Sequence, residues 1–79
     1  MSRIISKDNC IFCTRAKALL DMKDEEYTEL KINTDVTMEQ FAEMTGNAKT
    51  FPQIWLTVSG AEIYIGGYDK LVEYFNNGA

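Results

Sequence analysis

The strand-like run Arg3-Ile4-Ile5-Ser6 stops at three polar residues, Lys7-Asp8-Asn9, and gives way at once to helical spacing. From Cys10 or Ile11 onward, Cys13, Ala16 and Leu20 recur at intervals of three and four, joined on that face by Phe12 and Leu19. Arg15 and Lys17 fall on the water side, and the helix should fade before Lys23-Asp24-Glu25-Glu26. Polar and apolar groups then alternate from Tyr27 to Ile32, the pattern of a second strand. Strand, helix and strand in succession leave little choice. The two strands should be parallel, joined by a right-handed crossover.

The second half adds four further elements and a turn. Thr37 and Gln40 make a capping-box pattern, after which Met38, Phe41, Ala42 and Thr45 share a helical face. Gly46 is the expected left-handed stop. Gln53 to Val58 is nearly continuous in apolar groups around Ile54, Trp55 and Leu56, as a central strand with two covered faces should be. Ser59-Gly60 is a two-residue hairpin turn, and Glu62 to Ile65 is the returning strand. Gly66-Gly67 breaks the pattern, and Asp69 to Asn76 forms a last helix with Leu71, Val72 and Phe75 turned inward. The order β-α-β-α-β-β-α predicts an α/β fold, a four-stranded mixed sheet flanked by three helices on both faces. At 79 residues the chain is expected to be one domain, 1–79, with a thin stability margin.

Composition removes several function classes. Acidic residues outnumber basic ones by 12 to 8, a formal net charge of −4, and no basic stripe is visible. Nucleic-acid binding needs a surface that displaces counterions from phosphate, so it is not expected. A protein partner with a basic rim is compatible with the balance. No segment approaches the roughly 20 apolar residues that span a bilayer. The apolar run within Met1–Ser6 is far too short for a signal peptide. The expectation is a cytoplasmic, monomeric chain whose thiols are mostly reduced.

Cys10-Ile11-Phe12-Cys13 carries the chemistry, and four readings of it compete. Structural zinc wants four Cys or His ligands, and this chain has two Cys and no His. No metal is therefore expected unless two chains share one. A structural disulfide over so short a loop would restrict the unfolded chain little. Two inert buried thiols would be ordinary. The fourth reading is redox, since a Cys-x-x-Cys beside a βαβ unit is associated with thioredoxin-like motifs. Placement favours it. Cys10 should sit at the start of a helix, where free N–H groups and the helix dipole favour an anion, with Lys7 adding a positive field. The Cys10 pKa should then fall below the free value of about 8.5. Cys13, one turn in, should be less exposed. Cys10 would attack a disulfide, and Cys13 would resolve the mixed disulfide.

Three blocks resemble the glutaredoxin family, in order and over nearly the whole chain. Ser6-Lys7-Asp8-Asn9-Cys10-Ile11-Phe12-Cys13-Thr14-Arg15-Ala16-Lys17 is similar to the family's strand-end lysine, Cys-Pro-Tyr-Cys and following helix. Thr50-Phe51-Pro52-Gln53-Ile54 is similar to its Thr-Val-Pro-Gln-Ile, and Ile65-Gly66-Gly67-Tyr68-Asp69 to its Gly-Gly-x-Asp turn. The resemblance implies a thioredoxin-like fold, a glutathione-dependent dithiol–disulfide oxidoreductase, and a cis bond before Pro52, which would face the cysteines. It implies a glutathione site in which Lys7 meets the glycine carboxylate and Phe12 lines the groove. Phe51, ahead of Pro52, would pair through its backbone with the cysteinyl unit. Gly67 would allow close approach. Tyr68 and Asp69 would offer N–H groups to the γ-glutamyl carboxylate, the Asp69 side chain reaching the ammonium.

Two departures bear on that site. Ile11-Phe12 replaces Pro-Tyr, and the second helix opens without Arg or Lys, leaving Gln40 or Lys49 as substitutes for a cationic glutathione contact. The family also implies ribonucleotide reductase among protein clients. Alternative readings are a reductant recharged by thioredoxin reductase and an iron–sulfur cluster carrier.

Overall fold

Ile4 and Ile5 are both fully buried, and they face opposite sides of one sheet. That alternation organises the molecule. A computed structural model describes residues 1–77; the last two residues of the expected 1–79 domain, Gly78 and Ala79, lie outside the described residues. The elements are β1 (Ser2–Ser6), α1 (Ile11–Met22), β2 (Tyr27–Lys31), α2 (Met38–Thr45), β3 (Gln53–Val58), β4 (Ala61–Gly66) and α3 (Tyr68–Asn76). The sheet order is β2-β1-β3-β4. β1 runs parallel to β2 and antiparallel to β3, and β3 pairs antiparallel with β4. The expected thioredoxin-like layout is therefore present: a four-stranded mixed sheet and three helices.

The two central strands, β1 and β3, send alternate side chains to two cores. On one face Ile4, Ile54 and Leu56 pack against Ala16 and Leu20 of α1 and Leu71 of α3. On the other, Ile5 and Trp55 pack against Phe41 of α2 and Val36. Period-two alternation makes this division unavoidable once both faces are covered. Burying each such side chain contributes roughly 1.5–3 kcal/mol.

Local signals set the element ends. Thr37 Oγ1 accepts from the Gln40 N–H and Gln40 Oε1 from the Thr37 N–H, closing the capping box at 3.0 and 2.9 Å. Gly46 ends α2 with φ 68. Ser59 and Gly60 take φ 52 and 82 in the β3–β4 turn, as a two-residue hairpin of this hand requires.

Some boundaries and faces differ from the sequence reading. β1 starts one residue earlier, at Ser2, and Ile32 lies beyond β2 in an isolated bridge with Val36. Gly66 ends β4 instead of breaking it, and α3 begins at Tyr68. Phe12 and Met38, assigned to inward faces, are 48% and 52% exposed. Both sit in the first turn of a helix, ahead of the buried positions Cys13 and Phe41 on the same elements. Among the described residues, no helix is long and apolar enough to cross a membrane.

Candidate active site

Cys10 caps α1. Asn9 before it has φ 55, a left-handed conformation that Asn tolerates, and this turns the chain from β1 into the helix. Cys10 itself is extended, and its Sγ accepts the Cys13 backbone N–H at 3.2 Å. Sulfur thus occupies the place of the usual capping oxygen. The first turn of α1 contains no acidic residue, so the helix sets no carboxylate of its own against the positive end of its dipole. Cys13 is 2% exposed on the inward face, whereas Cys10 is half-buried. The two are joined in a disulfide with a Cα–Cα distance of 5.2 Å.

The loop before β3 approaches the same sulfur. The Phe51–Pro52 peptide bond is cis. The Phe51 carbonyl oxygen lies 3.8 Å from Cys10 Sγ, within reach of a weak thiol hydrogen bond when that sulfur carries a proton. Pro52 is buried behind it. The Phe51 ring stacks on buried Phe41 at 4.6 Å between centroids, and Lys7 Nζ stands 5.5 Å from that ring. Gln53, also buried, donates through Nε2 to the Thr50 carbonyl and hydroxyl at 2.9 and 3.2 Å, while its Oε1 accepts from the Tyr64 hydroxyl. Burial pushes the Tyr64 phenol above its ordinary pKa, so it stays a donor. One carboxamide therefore fastens the Thr50 loop to β4.

Two grooves flank Cys10. The first, of about 340 Å³, is lined by Phe12, Thr50, Phe51, Gly67, Tyr68 and Asp69. Its walls come from α1, the Pro52 loop and the start of α3, and Phe12 and Tyr68 meet across it at 5.9 Å between centroids. At its far end Gly67 caps α3 with no side-chain hydrogen bond, leaving the first N–H groups of that helix uncapped by it. Five of the residues singled out in the sequence thus border one groove. Thr50 joins them, visible beforehand only as part of the Pro52 block.

Lys7 does not line this groove. It borders the second and larger one, about 610 Å³, with both cysteines, Asp8, Lys17, Glu29 and Lys31 among its other walls. Gln40 is committed to the capping box, and Lys49 lines neither groove.

Sequence reasoning missed a polar cluster in the second groove. Glu29 Oε2 accepts from the Ser6 hydroxyl at 2.6 Å and pairs with Lys17 Nζ at 3.0 Å. The Ser6 hydrogen bond above all, with the Lys17 ammonium assisting, holds the Glu29 carboxyl below its ordinary pKa against an opposing push from burial. Nothing local announced it, because its members come from β1, α1 and β2.

Comparison with known proteins agrees with this geometry. A family model described as Glutaredoxin matches residues 3–60. The chain is 36% identical over 72 residues to glutaredoxin 1 of Rickettsia felis, covering 89% of this chain and 67% of that one. It spans about two thirds of the length of the Rickettsia relatives it matches. Among solved structures, the glutaredoxin of Brucella melitensis superposes with a TM-score of 0.75 at 34% identity, covering 98% of this chain and 79% of the other. A buckwheat glutaredoxin in complex with glutathione superposes with a TM-score of 0.79 at 26% identity, covering 98% and 69%. By fold, paired cysteines and sequence, the chain belongs to the glutaredoxin family of thiol–disulfide oxidoreductases.

Proposed function

We propose that this protein reduces protein disulfides and glutathione mixed disulfides, with glutathione as its reductant. The observation that carries the reading is the groove between Phe12, Phe51 and Tyr68 beside the Cys10 sulfur. The buckwheat relative, seen with glutathione, supports it. The peptide edge at Phe51 offers strand-like pairing to a cysteinyl unit. The start of α3 offers N–H groups to a carboxylate, and Asp69 in its first turn offers a partner for an ammonium. Lys7, above the Phe51 ring, would meet the second carboxylate from the other side.

The exchange then runs in balanced steps. The Cys10 thiolate attacks a client disulfide; a Cys10–client sulfur bond forms, and the other client thiolate leaves. The Cys13 thiolate attacks Cys10 Sγ, the mixed bond breaks, and the client leaves reduced by two electrons. The Cys10–Cys13 disulfide is the product. One glutathione thiolate attacks Cys10 Sγ and expels the Cys13 thiolate. A second attacks the bound glutathione sulfur, releasing glutathione disulfide and the Cys10 thiolate. The helix N-terminus and the Cys13 N–H hold negative charge on Cys10 at the steps where it is nucleophile or leaving group. Ribonucleotide reductase is the protein client that the family resemblance supports.

The test pairs two reductases. NADPH consumption with hydroxyethyl disulfide should require glutathione and glutathione reductase. Turnover with thioredoxin reductase in the absence of glutathione would overturn the choice of reductant.

A further inference from the structure

The second groove brings charges to the cysteines that the exchange steps do not use. Lys17 lies one turn beyond Cys13 on α1. Helical side chains lean toward the N-terminus, so its stem covers the turn that holds Cys13. Lys17 and Glu29 side chains are 31% and 28% exposed, and both border the groove that both cysteines border. Glu29 is held in place by Ser6, which is 1% exposed at the end of β1. The other titratable groups on this groove are Lys7, Asp8 and Lys31; Lys31 and Asp8 pair with each other at 3.1 Å.

We infer that Lys17 and Glu29 are an opposed charge pair that sets the redox potential of the Cys10–Cys13 couple, Lys17 favouring the reduced form and Glu29 restraining it. The physical basis is a difference in charge. The disulfide is neutral, whereas the reduced pair carries a thiolate on Cys10 whenever it acts as nucleophile in the exchange steps above. A nearby cation therefore stabilises the reduced form, and a nearby anion destabilises it. Lys17, on the cysteines' own helix, is the stronger influence, and its pairing with Glu29 limits the effect. Neither residue touches a reacting atom. Both act through the field at the sulfurs.

This inference rests on the dithiol chemistry proposed above but not on glutathione recognition, and the test is chosen accordingly. The full chain is equilibrated with 2-mercaptoethanol and its disulfide, which lack the carboxylates and ammonium of glutathione. Two 2-mercaptoethanol thiols reduce the protein disulfide to two thiols and leave as one disulfide, a two-electron exchange. Acid quenching and alkylation then count free cysteines by mass. Lys17→Gln should shift the equilibrium about threefold toward the protein disulfide, or ~14 mV lower. Glu29→Gln should shift it about threefold the other way. The exchanged pair Lys17→Glu/Glu29→Lys keeps an ion pair yet should also move toward the disulfide.

A purely structural ion pair predicts something different: the two single substitutions move together, and the exchanged pair matches the parent. Either of those results, or no shift in any variant, overturns the inference. Cysteines that fail to exchange with the couple at all would overturn the dithiol reading as well.

Discussion

The carbonyl oxygen of Phe51 lies 3.8 Å from the sulfur of Cys10, so the residue ahead of Pro52 borders that sulfur through its backbone. Its side chain is held independently, by stacking on Phe41 at 4.6 Å. Phe41 is 1% exposed and belongs to α2, on the opposite face of the sheet from α1 and α3. The floor of the groove therefore depends on a core that the cysteine helix does not touch. Phe41→Leu should cost about 1 kcal/mol in urea denaturation. It should also raise the KM for glutathione more than it lowers kcat, because Phe51 loses its stacked partner. Phe41→Ala should cost about 3–5 kcal/mol, a large part of the stability of so small a domain.

The two cysteines should separate by substitution. Cys10→Ser should reduce disulfide exchange to the uncatalysed level. Cys13→Ser should still accept glutathione on Cys10 but fail to complete dithiol reduction of a protein client, leaving a mixed disulfide visible by mass spectrometry. Their unequal exposure is the reason: Cys13 is 2% exposed and Cys10 half-buried, so an incoming thiol reaches Cys10 first.

Neighbouring glycines should behave differently. Gly66 has φ 111, and a Cβ there would stand 3.3 Å from Lys70 Cγ. Gly66→Ala should destabilise the fold by about 1–3 kcal/mol. Gly67 has an ordinary φ of −86. A Cβ on it would meet Asp69 Oδ1 at 3.3 Å and the Pro52 carbonyl oxygen at 3.6 Å. Gly67→Ala should cost under about 1 kcal/mol. Its larger effect should be a raised KM for glutathione, because the added methyl enters the groove wall. Paired thermal denaturation and steady-state kinetics would separate the two.

Glu29 gives a pH signature. Its carboxyl is held below its ordinary pKa, chiefly by the Ser6 hydroxyl and then by Lys17. A carboxylate with a depressed folded-state pKa stabilises above its unfolded value, and the gain disappears as pH falls through the folded one. Glu29→Gln should therefore lower the urea midpoint at pH 7. The gap from the parent should close in acid, below the depressed value. A gap that stays constant with pH would mean that packing, not charge, ties Glu29 to the fold.

Much of this protein could be read along the chain, because the relevant physics is local. Strand alternation at Ile4-Ile5 and Ile54-Trp55, the Thr37–Gln40 capping box, the left-handed stop at Gly46 and the cysteine at the head of a helix all depend on residues a few positions apart. The resemblance carried by the Cys10, Pro52 and Gly66-Gly67 blocks extended that reading to one groove.

Tertiary structure decided what the local rules could not. Helical periodicity placed Phe12 on the inward face, but its side chain is 48% exposed and its ring faces Tyr68 from another helix. Lys7 was counted with the groove residues; folding sets it on the second groove, its Nζ 5.5 Å from the Phe51 ring. Lys17 was placed in water, and folding pairs it with Glu29 across twelve positions of chain. The strand-to-helix turn placed a cysteine at a helix N-terminus by sequence alone. What surrounds that sulfur was set by packing, since charges and rings from β1, β2, α1, α3 and the Pro52 loop meet only when the sheet assembles.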